Sequence, residues 1–251
     1  MSGHSKWHNI KVKKEKVDAA KGKIFTRVSK EIMLAVKEGG ADPAGNYRLA
    51  TAVENAKSVN MPNSNIQRAI EKASGEKGGE GIEEVMYEGY GPHGVAIIVA
   101  AATENRNRTV PEVRTAFAKN GGTMGDSGCV SWMFEKKAVF QVSADSTDED
   151  TLMEIALDAG ADDVKEEDGI FVVTADFTNF AQVKRGLEAK KVKLDSAEIS
   201  MIAKNEVKLT DKAQVEAVFK LMDALEEQGD VQNVYANFDI PEEIMASMGG
   251  K

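Results

Sequence analysis

Nine lysines and arginines crowd into Ser2–Lys30 of this chain against two acids, Glu15 and Asp18, although the 251 residues together carry a formal net charge of −9. They are Lys6, Lys11, Lys13, Lys14, Lys16, Lys21, Lys23, Arg27 and Lys30. Cations at this density can neutralise phosphates and release condensed counterions. Trp7 lies among them. An indole there either stacks on an unpaired base or packs against the helices that follow. A second cluster, "NRNR" at Asn105–Arg108, sets Arg106 and Arg108 beside a helical pattern that also carries Arg114. Guanidinium groups suit phosphate or base contacts, with ion pairs to acidic neighbours as the competing use. Farther back, Gln67 and Arg68 are the few side chains of their helical segment able to read a base edge.

Other residue groups offer less. "GYGPHG" at Gly89–Gly94 has the glycine spacing of a dinucleotide fingerprint, which requires a strand before it and a helix after it. Here a strand follows and Pro92 removes an N–H, so the segment reads as a hairpin turn. His4 and His8 are four apart, but only His93 remains besides and no cysteine is near. A structural zinc site wants four ligands. Removal of Met1 would leave a Ser-Gly-His terminus able to take Cu(II) or Ni(II) in a square-planar nitrogen set, an adventitious site. Cys129 is the single cysteine, which rules out an internal disulfide, and it has no base beside it in sequence. Ser127, Ser131 and Asp126 lack a nearby histidine for a triad, and the acid pairs Asp162-Asp163 and Glu166-Glu167 read as a solvated face. The expectation is no enzyme, no metal and no cofactor.

The elements that must position these groups follow from periodicity. Phe25, Val28, Ile32, Ala35 and Val36 recur at helical spacing, and Gly39-Gly40 ends that helix. Asp42-Pro43 reads as an N-cap and first-turn proline for a second helix, and Pro62-Asn63 opens a third with Ile66, Ala69, Ile70 and Ala73 on its face. A glycine-rich linker, Ser74–Gly81, closes this bundle. Strands are then expected at "VMYEGY" and from Val95, and a helix capped by Thr109 with Glu112 and stopped by Gly121-Gly122. Residues 138–206 follow the β-α-β-β-α-β order of ferredoxin-like domains, with a hairpin turn at Asp168-Gly169. A weak repeat, "LMEIALDAGADDV" and "LMDALEEQGDVQNV", suggests that the flanking pieces build a second such unit.

The expected architecture is therefore α+β and multidomain. A three-helix bundle with its basic arm spans 1–74, and one α/β domain is built from 82–134 plus 207–240. A second, 135–206, is inserted in it. Residues 1–72 hold 14 Lys or Arg against 7 Asp or Glu, whereas 73–251 hold 18 against 34. Such asymmetry suggests a polyanion-binding module joined to a body that repels polyanions. No run of 18 apolar residues is present, so no membrane segment is expected. A reducing cytoplasm is the expected address.

"GHSKWHNI", "KIFTRVSKEI", "NMPNSNIQRAI", "YEGYGPHGVAIIV", "NRNRT" and "VQNVYANFDI", in this order across nearly the whole chain, resemble the YebC/PmpR family. The resemblance implies a helical N-terminal domain followed by two α/β domains. It also implies a regulator of gene expression: a DNA-binding transcriptional regulator acting at promoters, or alternatively a ribosome-associated factor that binds ribosomal RNA and relieves stalled elongation. Mitochondrial relatives, translational activators of a cytochrome oxidase subunit, carry a presequence. This chain starts directly at the motif, which implies a bacterial cytoplasmic member. Members often have Lys-Asp after "NMP", where this chain has Asn63-Ser64. A phosphate-binding arm without a clear helix-turn-helix gives sequence-lenient contacts, and these suit RNA at least as well as an operator.

Overall fold

The computed structural model describes residues 17–75, 81–167 and 169–249. Among the described residues three helices come first: α1 (Val17–Gly39), α2 (Tyr47–Ser58) and α3 (Asn63–Ser74). Their apolar faces meet in a core of Ile32, Leu49, Ala56, Met61, Ile66 and Ala69, which Ile82 and Ala102 of the following domain complete. The α1–α2 corner is built differently from the expected Asp42-Pro43 cap. Asn46 is the cap: its side-chain oxygen accepts from Leu49 N at 3.0 Å while its amide donates to Ala35 O at 2.6 Å and Gly40 O at 2.8 Å. Asp42 instead holds the turn, accepting from Ala44 N at 2.9 Å. Gly39 is required, because a Cβ there would lie 2.8 Å from the Asn46 amide.

The rest of the chain is α+β. A hairpin of β1 (Glu83–Tyr90) and β2 (Ala96–Thr103) pairs Val85 with Ala101 and Tyr87 with Val99. The "GYGPHG" segment is its turn, with His93 at φ 62° and Gly91 N donating to Val95 O at 2.8 Å. Helix α4 (Arg106–Lys119) leads to β3 (Thr123–Met124), which pairs antiparallel with β1. That pairing needs Gly89, where a Cβ would lie 2.5 Å from Thr123 O. Helix α4 starts a turn before the expected Thr109 cap. Asn105 caps it, accepting from Arg108 N at 3.2 Å, so Arg106 and Arg108 belong to its first turn.

Residues Met133–Asn205 form a compact unit of their own. It runs β4 (Phe134–Ser143), α5 (Glu149–Asp158), β5 (Asp163–Glu167), β6 (Ile170–Asp176), α6 (Phe180–Ala189) and β7 (Ser196–Ala203). The antiparallel order β5-β6-β4-β7 is the ferredoxin-like arrangement. Phe140, Leu152, Val173 and Leu187 fill its core, and the rings of Phe140 and Phe180 stack at 5.2 Å. The expected hairpin turn involves Asp168, which lies outside the described residues; Gly169 beside it has φ 79°.

The chain then adds β8 (Val207–Lys208), α7 (Lys212–Glu226), β9 (Val231–Ala236), β10 (Phe238–Asp239) and α8 (Glu242–Gly249) to the first sheet's domain. That sheet has the order β3-β1-β2-β9, while β8 and β10 form a short parallel pair. Its four strands and two covering helices match the inserted unit in complement but not in order. Because the hairpin comes first in the chain, the later strands add at its two open edges and leave it central. Val85, Val99, Phe117, Val218, Leu221 and Phe238 lie in the core between this sheet and helices α4 and α7.

Candidate functional site

Asp230 immediately precedes β9 and is 4% exposed. Lys30 on α1 donates to its Oδ1 at 2.6 Å, and Arg108 on α4 donates to both oxygens at 2.9 and 2.7 Å. Thr109 adds a bond at 2.6 Å and Thr103, at the end of β2, one at 3.1 Å, the two hydroxyls themselves lying 2.7 Å apart. Burial pushes the carboxyl upward, but the bonds from Arg108, Lys30 and Thr109 outweigh it and hold Asp230 well below the usual carboxylate range. The same bond raises the Arg108 guanidinium. Lys30 also donates to Gly229 O at 2.7 Å, and Arg27, one turn earlier, to Glu226 O at 2.8 Å. Helix α1 is thus tied by two cations to the end of α7 and the start of β9.

Beside this network lies an open cleft of about 460 Å³. Phe25, Met33 and Ala69 supply apolar wall, and Lys30, Arg68, Lys72 and Arg108 supply four cations against the carboxylates of Glu104 and Asp230. Lys72 donates to Glu104 at 2.7 Å. Arg68 is exposed and has no ion-pair partner among the described residues. The 14-residue helix α4 directs its first turn, with the positive end of its dipole, toward the Asp230 network. Four cations against two carboxylates give the lining a positive excess.

Of the residues singled out from sequence, Lys6, Trp7, Lys11, Lys13, Lys14 and Lys16 lie outside the described residues. Lys21 and Lys23 belong to α1, where Lys23 is exposed. Lys30, Arg68 and Arg108 are brought to one cleft. Arg27 is engaged with Glu226, and Arg106 stands 3.7 Å from Glu83, an exposed pair. Arg114 is exposed on α4 and does not line the cleft. Of the two uses weighed for the "NRNR" arginines, ion pairing is present in Arg108, which pairs with Asp230 and also lines the cleft.

Sequence reasoning missed Asp230, Lys72, Thr103 and Phe25 as parts of the site. Thr109 was expected as a cap and is instead a buried ligand of Asp230. It also missed Glu88, which shares a face of β1 with exposed Met86 and Tyr90 yet is 6% exposed. Its carboxylate accepts from the backbone N–H groups of Gly128, Val130 and Ser131 at 2.8, 2.8 and 2.7 Å. Burial pushes Glu88 up, and these three bonds bring it below its ordinary value. The loop so fixed presents the carbonyl of Cys129 to Tyr90 Oη at 3.3 Å and Trp132 Nε1 at 3.1 Å. Burial, with Glu88 nearby, pushes the Cys129 thiol up, away from nucleophilic character.

The domain order is shared with known proteins. Residues 5–76 match the family model described as the TACO1/YebC protein N-terminal domain, and residues 82–238 match the one described as the TACO1/YebC second and third domain. A protein of Syntrophus aciditrophicus named "Probable transcriptional regulatory protein" is 52% identical over 249 residues, covering 99% of both chains. One of the same name from Trichlorobacter lovleyi is 54% identical over 248 residues, covering 99% of this chain and 100% of its own. Among solved structures, a conserved hypothetical protein from Aquifex aeolicus is similar at a TM-score of 0.84 and 47% identity, covering 91% of this chain and 94% of that one. With family models matched on both sides of the linker and relatives aligned end to end, this chain belongs to the TACO1/YebC family.

Proposed function

We propose that this protein is a non-enzymatic, nucleic-acid-binding regulator of gene expression acting in the cytoplasm, and a DNA-binding transcriptional regulator in the first instance. The observation that carries this reading is the gathering of Lys30, Arg68, Lys72 and Arg108 on one cleft of a chain whose net charge is −9. A polyanion is attracted to that region and repelled by the acidic remainder. The lysine-rich segment before α1 adds phosphate contacts, which position a nucleic acid without specifying its sequence. The names of the relatives from Syntrophus aciditrophicus and Trichlorobacter lovleyi support regulation of transcription.

A second reading, an RNA-binding translation factor on the ribosome, is favoured by one feature. Arg68 and Lys72 of α3 face a cleft shared with Arg108. An unpaired strand can enter such a recess, whereas a helix that reads duplex DNA lies along the major groove. Crosslinking the tagged protein in cells and sequencing all recovered DNA and RNA separates the two. Discrete promoter fragments without ribosomal enrichment establish the first reading, and ribosomal RNA clustered at one position establishes the second. Recovery of neither above an untagged control overturns both.

A further inference from the structure

The cleft has two chemically distinct surfaces, and the fold uses only part of one. Asp230 answers Lys30 and Arg108, and Glu104 answers Lys72, which leaves two positive charges in excess and Arg68 as the rim cation without an ion-pair partner among the described residues. Below the rim, half-buried Phe25 and buried Met33 form an apolar surface open to the same space. Asn65 adds an amide that can both donate and accept. A volume of about 460 Å³ falls in the range of small-molecule sites.

We propose that this cleft holds one unpaired nucleotide, its base against Phe25 and Met33 and its phosphate on Arg68. The proposal rests on the nucleic-acid reading above and narrows it. A bare anion would leave the apolar surface unused, and a purely apolar ligand would meet four cations. A nucleotide presents a flat π-face and a charged group on one scaffold, and stacking on an aromatic ring is tolerant of base identity. A base paired within a duplex cannot reach the floor without leaving its stack, so the ligand is single-stranded, looped or free. Lys30 and Arg108, held by Asp230, keep the local field positive without changing position when the ligand enters.

The nucleotide can come from a strand or from solution, and the experiment separates these sources. Uridine monophosphate and a fluorescein-labelled short oligouridine are titrated into the full-length protein, into Arg68→Ala, and into a variant with Lys11, Lys13, Lys14 and Lys16 all changed to alanine. An oligouridine carrying 5-iodouridine is photocrosslinked to the full-length protein and the adduct located by mass spectrometry. Arg68 is exposed, so its loss leaves the core intact. The expected result is an adduct on the peptide containing Phe25 or Met33. Arg68→Ala weakens every ligand that binds by about tenfold, or 1.4 kcal/mol. The lysine variant weakens the strand alone. Saturable binding of the monophosphate at the strength of the strand identifies a free nucleotide, and binding of the strand only identifies a polymer; either supports the cleft when the adduct on Phe25 or Met33 and the loss in Arg68→Ala accompany it. A strand that binds, crosslinks only within residues 1–16 and ignores Arg68→Ala overturns the cleft while leaving the nucleic-acid reading in place. If the strand and a labelled DNA duplex titrated beside it both fail to bind the unaltered protein, the two readings fall together.

Discussion

Lys30 Nζ stands 2.6 Å from Asp230 Oδ1, across 200 positions of sequence. The contact does two things at once. It fastens the first of the described helices to the start of the last long strand, and it gives a buried acid a counter-ion. A carboxylate this buried is tolerable only because Lys30, Arg108, Thr109 and Thr103 all donate to it.

Asp230→Asn follows directly as a stability test. The amide keeps the shape but loses the charge, so Lys30, which is 16% exposed, is left in a desolvated position without its counter-ion. Removing one member of such a pair costs about 3 kcal/mol. Urea denaturation followed by circular dichroism should show the midpoint falling with an unchanged slope. A change below about 0.5 kcal/mol, the scale of surface substitutions, would show that the network is decorative.

The same residue sets an acid limit. Asp230 is held below its unfolded value of about 3.9, so the unfolded chain binds the proton first as pH falls. Its contribution is therefore complete above about pH 5 and declines as pH drops through 4 toward the folded value. Urea midpoints measured from pH 7 to pH 3 should be level at first and then fall. Asp230→Asn should show a shallower fall over the acid part of that range, the remainder coming from groups such as Glu88, which is also shifted downward. Equal slopes for both proteins would contradict the assignment.

How much of this was legible beforehand depends on the range of the interaction. The order of elements was readable because apolar spacing switches from helical to alternating after the glycine-rich linker. Two helix starts were misplaced because several capping residues compete locally: Asn46 wins over Asp42 by donating into α1, and Asn105 wins over Thr109, whose hydroxyl is taken by Asp230. Arg68, Lys30 and Arg108 were singled out by type alone, and their convergence depends on tertiary packing that no local pattern reports. Asp230 carried no local signal, since Thr109 is 121 positions away and Lys30 is 200. Glu88 reads as an exposed alternate position on β1 and is buried only because the loop through Gly128–Ser131 folds its N–H groups onto it.

Glu88→Gln tests that loop. A carboxylate accepts at both oxygens, whereas a glutamine turns an NH₂ toward at least one of the three donors. Leaving a buried donor unsatisfied costs about 1–3 kcal/mol. The protein has one cysteine, so the rate of disulfide exchange with an aromatic disulfide reagent under native conditions reports on Cys129 alone. That rate should be low in the unaltered protein, where burial pushes the thiol up. It should rise several-fold in Glu88→Gln, both because the loop opens and because a neighbouring negative charge is gone. An unchanged rate would mean that the loop is held by its other contacts.

The lysine-rich segment is tested by salt rather than by affinity alone. Each phosphate contact releases counterions and adds about 0.7 to 0.9 to the slope of log K against log salt concentration, the lower figure for a single strand. Changing Lys11, Lys13, Lys14 and Lys16 together to alanine should therefore flatten the slope by about 3 if all four touch phosphate. Fluorescence anisotropy with the same labelled strand, from 50 to 300 mM salt, measures it. Arg68→Ala should remove only about 0.7. It should also weaken binding at the highest salt, because a guanidinium at the mouth of a partly apolar cleft contributes contact as well as charge. A lysine variant with unchanged slope would show that the segment does not meet the backbone, leaving the cleft cations to account for the affinity.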